Sequence, residues 1–454
     1  MTAPVSSVII VGGGASGVIM AAHLLRVGDP DMRVTIVEKR PIFGQGIAYS
    51  TPLPDHVLNV SALGMSAYAD DPEHFLRWLV ERGEAKPEEP AIYVPRRTYG
   101  DYLAAIVADL RDHKAGQLRL IADECLSVQP NASGVEVRLA NGTSIVGHAA
   151  ILAVGHEERP AADQAFAVRP GSGEDTPLAK DAPVLILGTG LSMVDMWLKL
   201  ESRGHRGPVI AVSRRGLLPS VHRKGKPIRL DRADIPLGTE LSYFVRWFRD
   251  LIRATERAGG DWRDVVDGLR PYNQLIWQNW PASAKRRFFE HTKAWWDIHR
   301  HRMPPPIHER FSKAVRDGRL KPHAAKVTGV EETPPGFAVT LQPRHRNDAE
   351  TVEVARIYDC TGIVSDLAVG SNAVLRSLID RGAARPDPLH IGLDVDRDCA
   401  VIGANGTPSE RLYAIGPLTR GTFLEIDAIP DIRTQCAAVA RHVAAGSAAR
   451  QKLR

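Results

Sequence analysis

The chain has 454 residues, about three typical domain lengths, which excludes a lone small binding module. Apolar residues make up 44% and charged residues 24%, the composition of a globular protein with a sizeable core rather than of a disordered chain. The 58 basic and 53 acidic side chains leave a net charge of +5, too mild for a nucleic-acid-coating protein and suited to an anionic cofactor or substrate.

The first predicted element is a strand, Val8 to Val11, that runs into Gly12-Gly13-Gly14-Ala15-Ser16-Gly17. A helix follows through Val18, Ala21, Ala22, Leu24 and Leu25, and then a second strand, Val34 to Val37, that ends in Glu38 and Lys39. The apolar stretch from Val8 to Leu25 is expected to be neither signal peptide nor anchor. No Lys or Arg precedes it, three glycines interrupt it, and Arg26 closes it short of a membrane span. A helical insert covers Pro41 to Ala115. A small strand meander is predicted from Leu118 to Val128, Gly134 to Leu139 and Ser144 to Val146, before a buried strand, Ala149 to Val154, that stops at Gly155.

The same plan then repeats. After a polar, Pro/Gly-rich crossing from Glu157 to Pro183, a strand from Val184 to Leu187 meets Gly188-Thr189-Gly190, with Leu191 and Ser192 opening a helix. Its second strand, Val209 to Val212, ends in Ser213-Arg214-Arg215. A second helical insert spans about 216–314. Strands at Leu320 to Val330, Gly336 to Leu341 and Thr351 to Val354 follow, and Ala355 to Asp359 leads into Cys360-Thr361-Gly362. The predicted fold is α/β, with two Rossmann-like dinucleotide-binding domains, the second inserted into the first. The expected boundaries are 1–175 and 355–454 for the first domain and 176–354 for the second, with a frayed tail from Ala444 to Arg454.

In Gly12-x-Gly14-x-x-Gly17 the first glycine makes the turn and the second lets backbone N–H groups approach a pyrophosphate. The third allows close helix–strand packing, while the helix N-terminus faces the negative charge. Glu38 is placed to accept hydrogen bonds from a ribose, as FAD requires. Gly188-x-Gly190 is less regular, since Met193 holds the third position and implies looser helix–sheet contact. Its second strand ends in a serine and two arginines instead of an acid, which favours the 2′-phosphate of NADPH.

Several further stretches resemble FAD/NAD(P)-binding oxidoreductases, two-dinucleotide-binding-domain flavoproteins related to the class B, N-hydroxylating flavin monooxygenases. They are Phe43-Gly44-Gln45-Gly46-Ile47-Ala48-Tyr49-Ser50, His56-Val57-Leu58-Asn59-Val60, Asp71 to Leu79, Tyr93 to Leu103, and Leu412 to Leu418. Ile151-Leu152-Ala153-Val154-Gly155-His156, with Pro160 beyond, is similar to the L-A-T-G-Y…P stretch of the amine hydroxylases. Arg96 to Tyr102 is similar to their R-R-E-F-x-D-Y segment, with Thr98 in place of the acid. The Baeyer–Villiger fingerprint is absent. Pro417 follows Gly416 where many flavoproteins carry an aspartate, so flavin contacts there fall to backbone or neighbours. The resemblance implies dinucleotide contacts at Lys39, Gly46, Asn59, Val60, Val128, Ala153, Gly155, Gly362, Gly416 and Pro417, besides both glycine turns.

Other chemistries lack support. The cysteines, Cys125, Cys360, Cys399 and Cys436, form no C-x-x-C, which argues against dithiol reductase chemistry and suits a reducing cytoplasm. No G-x-S-x-G elbow is present. His299 and His301 are flanked by arginines with no carboxylate set, so no metal is expected. Six of the eight tryptophans fall between Trp247 and Trp296, interleaved with arginines. Such a pattern can stack single-stranded bases. It equally forms the core of a helical cap, or a cap whose arginines hold an anionic substrate; nucleic acid and membrane are not expected partners.

The first functional reading is an NADPH-dependent flavin monooxygenase acting with O2 on the nitrogen or sulfur of a small substrate. Asn59 and Glu425 are the candidate catalytic residues. The alternatives are an NADPH-dependent flavin reductase without oxygen insertion, and a non-catalytic dinucleotide-binding redox sensor.

Overall fold

The computed structural model describes residues 7–114, 116–156, 166–169, 177–362, 367, 370 and 372–452. Pro160 and most of the predicted crossing lie outside the described residues. The chain divides into two compact units, Met1–Pro160 with Ile363–Arg454, and Ala161–Gly362.

The first unit opens with β1 (Ser7–Val11), α1 (Ala15–Val27), β2 (Arg33–Glu38), α2 (His74–Glu81), α3 (Arg96–His113) and β3 (Leu118–Ala122). β4 (Cys125–Pro130), β5 (Val135–Leu139), β6 (Ser144–Gly147) and β7 (Ala149–Leu152) follow. The second unit holds β8 (Ala167–Val168), β9 (Val184–Leu187), α4 (Leu191–Ser202) and β10 (Val209–Ser213). Its helical insert comprises α5 (Leu241–Arg257), α6 (Trp262–Leu269), α7 (Asn273–Asn279), α8 (Ala282–Arg287), α9 (Lys293–Arg300) and α10 (Pro305–Arg316). β11 (Leu320–Thr333), β12 (Gly336–Pro343), β13 (Glu350–Val354) and β14 (Arg356–Asp359) complete it. The chain then returns to the first unit with α11 (Ala373–Asp380), β15 (Ala400–Ile402), β16 (Pro408–Ala414) and α12 (Ile429–Lys452). The tail expected to fray therefore continues a helix.

The main sheet of the first unit has the order β15-β16-β7-β1-β2-β3, parallel except for β15. β1 lies inside it, with Val8 beside both Val34 and Ala149. Val8 to Val11 are buried, as an unbroken apolar run in a parallel sheet covered on both faces must be. α1 is buried from Ser16 to Leu25 because the sheet covers one side and α3 and α12 cover the other.

The predicted meander differs at its start. Leu118 to Val128 is two strands: β3 adds in parallel to β2, and β4 pairs with β5 in a separate three-stranded sheet. Asp123 and Glu124 make the break, with the Asp123 carboxylate accepting the Glu124 N–H at 2.7 Å. In the second unit one long strand performs both tasks: β11 runs parallel to β10 through Ala324 and then antiparallel to β12, with a register shift between Val327 and Gly329.

The second unit's sheet has the order β13-β12-β11-β10-β9-β14-β8. β14 pairs with β9, so this unit extends to Gly362 rather than to the predicted boundary at residue 354. In the insert, Trp277 and Trp280 are buried, and their rings lie 5.8 Å from Phe288. Arg263 stacks 4.1 Å above Trp262, and Arg302 approaches the same ring at 5.2 Å. Arg302 also forks onto Asp267 through two 2.9 Å bonds. Much of the Trp/Arg interleaving is thus internal packing.

Candidate dinucleotide sites

In the first unit each glycine of the first turn has a different physical requirement. Gly12 has φ +107°, and an added Cβ would stand 2.4 Å from the Ala153 carbonyl oxygen, so this turn lies against the end of β7. At Gly17 a Cβ would stand 1.9 Å from the Gly12 oxygen, which makes its absence a packing requirement. Gly14 is different. A Cβ there would meet only Gly46, at an ordinary 3.6 Å. Among the described residues nothing demands a glycine at position 14, and the space beside it opens at the N-terminus of α1.

The surrounding residues complete this cradle. One Glu38 carboxylate oxygen accepts the Gly13 N–H at 2.7 Å and the other accepts the Arg40 N–H at 3.0 Å, so the acid is fixed at the strand end with lone pairs remaining. Lys39 beside it is exposed. Gly46 (φ +54°) faces Gly14, and the Gly44 N–H donates to the Gly13 oxygen at 2.7 Å. From the C-terminal segment Gly416 (φ +65°) abuts Ser16: a Cβ on Gly416 would lie 2.7 Å from the Ser16 hydroxyl oxygen. Gly416 and the buried Pro417 are held by Gln435, which accepts the Gly416 N–H at 2.7 Å and donates to Thr419 at 3.0 Å. No glycine or charge signal marks Gln435 in the sequence.

Asn59 and Val60 are half-buried on the segment that Leu58 anchors to Val94. Glu425 stands on another segment and adopts φ +57°, a left-handed conformation that is strained for a glutamate. The Val128 side chain is fully buried in the core on the β4–β5 side, and its carbonyl accepts from Arg381 at 3.0 Å.

In the second unit the geometry of the first turn recurs. Gly188 has φ +101°, and a Cβ there would stand 2.3 Å from the Cys360 oxygen, as Gly12 stands to Ala153. Gly362 (φ +102°) follows, as Gly155 (φ +78°) follows Ala153, and among the described residues neither has an atom within 4 Å of a would-be Cβ. Gly362 therefore belongs to the second glycine turn. Gly190 also faces open space, with Leu191 half-buried and Ser192 exposed at the helix start. Met193 is fully buried beneath the helix.

The three residues at the end of β10 are not equivalent. The Thr189 hydroxyl donates to the Leu217 carbonyl at 2.7 Å, so the 2.8 Å contact between Thr189 and Ser213 must use the Ser213 proton. Ser213 also accepts the Gly216 N–H at 2.9 Å. This serine, a candidate contact to a 2′-phosphate, ties the turn together. Arg215 points its guanidinium toward the Glu290 and His291 carbonyls, both at 3.5 Å, and Arg214 is exposed.

Burial pushes the thiols of Cys125, Cys360 and Cys399 up to about 12 and raises that of Cys436 well above the ordinary thiol range, which keeps all four protonated. His299 bonds the Trp295 carbonyl at 2.7 Å, and among the described residues no three potential ligands gather as a metal site. No helix among the described residues is long and apolar enough to cross a membrane.

Residues 9–157 match a family model described as FAD-NAD(P)-binding. Comparison with curated protein sequences gives no match. Among solved structures, the chain is similar to the ornithine N-hydroxylase of Kutzneria sp. 744, at a TM-score of 0.64 and 16% identity over 97% of this chain and 99% of that one. It is similar to L-lysine 6-monooxygenase from Pseudomonas syringae at 0.64 and 17%, with the same coverage of both chains. A bacillithiol disulfide reductase from Staphylococcus aureus follows at 0.55 and 15%, over 97% of this chain and 98% of that one. The chain carries an FAD/NAD(P)-binding domain at residues 9–157, within a two-domain fold shared with flavin-dependent hydroxylases and disulfide reductases.

Proposed function

We propose that this protein is an NADPH-dependent flavin monooxygenase that hydroxylates a nucleophilic nitrogen of a small substrate. The observation that carries the reading is the cradle around Gly14. Among the described residues only Gly46 lies within 4 Å of a Cβ added there; Glu38 accepts from the neighbouring Gly13 N–H, and Gly416 abuts Ser16 in the first turn of α1. These residues fit FAD: α1 and the turn amides would hold the pyrophosphate, and Glu38 would accept from the ribose. The open glycine pair of the second unit, with Arg214 at the strand end, fits a 2′-phosphorylated coenzyme. When bound, the flavin supplies hydride acceptance and oxygen transfer; the chain binds, orients and excludes water. The likeness to ornithine and lysine hydroxylases over nearly the whole chain favours nitrogen as the oxidised atom.

The deciding experiment is a screen of amino acids and diamines for substrate-dependent NADPH consumption, with O2 uptake and hydroxylamine product measured together. Matched NADPH and O2 consumption with a hydroxylated product is expected. Consumption of NADPH without O2 uptake would establish the reductase reading instead, which the disulfide reductase likeness favours at the level of fold. Absence of any NADPH-driven loss of flavin colour would leave only a redox sensor.

A further inference from the structure

His156 closes the turn after β7, and the Nδ1 atom of its ring is buried with no hydrogen-bond partner among the described residues. Burial lowers its pKa, with Asp427 pulling it up and Arg420 pushing it down. The ring is therefore neutral at physiological pH, and Nδ1 serves as donor or acceptor according to tautomer. A buried polar atom without a partner costs free energy, so its persistence calls for a partner that binds.

Its surroundings identify that partner. Three residues before His156, the Ala153 carbonyl is the atom against which Gly12 packs; Gly155 between them is left-handed and open on its free side. The charges that act on the ring, Arg420 and Asp427, stand on the segment that follows Gly416, and Gly416 abuts Ser16 at the start of α1. The orphaned nitrogen thus belongs to a segment that borders the first glycine turn, and it feels the charges of a second segment that borders the same turn.

We propose that His156 is a flavin-binding residue, whose Nδ1 completes its hydrogen bonding on a polar atom of the bound FAD. The inference rests on the flavin reading of the first unit. It makes a prediction that a merely structural histidine would not. Removing an unpaired buried nitrogen should leave the flavin-free chain as stable as before, or more so, while weakening FAD binding.

The test is thermal unfolding of full-length wild type, His156→Leu and His156→Asn, each alone, with FAD, and with NADP+. The leucine variant should melt no lower than wild type without ligand, yet show a smaller rise on adding FAD, corresponding to about 3- to 10-fold weaker binding. Asparagine, which keeps a polar atom near Nδ1, should recover most of the rise, and the NADP+ response should not change. An FAD response in His156→Leu equal to wild type would overturn the proposal and assign the nitrogen to water. A leucine variant that melts lower, with both ligand responses reduced, would overturn it in favour of a structural role. No FAD response in the wild type would instead defeat the flavin reading itself.

Discussion

Ser213 gives its only hydroxyl proton to Thr189 across 2.8 Å, which ties the end of β10 to the second glycine turn and leaves Arg214 as the exposed cation of that strand end. Coenzyme choice should therefore rest mainly on Arg214. A charge-assisted bond to a 2′-phosphate is worth ~1.5–3 kcal/mol, so Arg214→Ala should raise the KM for NADPH about 10- to 100-fold and leave NADH nearly unchanged. Arg215→Ala should have a smaller effect, since that side chain leans on the Glu290 and His291 carbonyls. Ser213→Ala should weaken both coenzymes alike by loosening the turn. Steady-state kinetics with both coenzymes decide the matter: a wild type that prefers NADH, or an unchanged preference in Arg214→Ala, would sink the NADPH assignment.

The glycine turns were legible from sequence because their requirement is local. A strand, a turn that only glycine can make and a helix start leave a short pattern. The tie from Ser213 to Thr189 is illegible for the opposite reason. The serine proton is claimed by Thr189, 24 positions away in sequence, and only the fold brings the two together. Val128 shows the same limit: alternation marks it as a strand residue, yet which face of the sheet it occupies depends on pairing with β5. The boundary at Gly362 was missed because β14 pairs with β9, a long-range choice with no local signature.

The two kinds of glycine in the first turn should separate experimentally. Gly14→Ala adds a methyl group at an ordinary 3.6 Å from Gly46, with no backbone strain, and should fold normally but purify colourless. Gly17→Ala would drive a methyl group to 1.9 Å from the Gly12 oxygen and should cost ~1–3 kcal/mol or abolish soluble expression. Absorbance near the flavin band and melting temperature report the two effects. A yellow, fully loaded Gly14→Ala protein would remove FAD from the first unit.

Acid should destabilise the first unit through two histidines, the buried His23 and the half-buried His74. His23 contacts the Ala67 carbonyl at 3.2 Å and His74 the Tyr102 hydroxyl at 2.8 Å. Desolvation by burial lowers both pKa values below 6.5. The unfolded chain therefore takes up protons first, so the stability these neutral rings contribute is complete above pH 6.5 and declines as pH falls toward their folded values. Between pH 7.5 and 5.5, wild type should lose more in melting temperature than His23→Gln/His74→Gln does. Equal losses would show that other groups set the acid limit.

Arg302 is 3% exposed in side chain, with its fork on Asp267 and its face toward Trp262. Arg302→Ala should cost ~1–3 kcal/mol, because a guanidinium that also packs an aromatic ring leaves both partners unsatisfied. FAD binding should be unaffected, since the first unit contains that cradle. If Arg302→Ala left stability intact but abolished substrate saturation, the arginine would be a substrate contact instead.

Glu425 offers the sharpest separation of stability from function. Its φ of +57° places a glutamate where only glycine and asparagine sit without penalty, at a cost of ~1–2 kcal/mol. Glu425→Ala and Glu425→Gly both delete the carboxylate, but only glycine also relieves the backbone. The glycine variant should therefore exceed the alanine variant by ~1 kcal/mol, or about 2–4 °C in melting temperature, after its freer unfolded chain is counted. If the strain is retained because the carboxylate serves the reaction, both variants should lose substrate-dependent turnover to the same degree while keeping FAD. Strain without that loss would return Glu425 to a structural residue. Glycine and alanine variants of equal stability would show that the neighbouring segment relaxes, and that position 425 stores no strain.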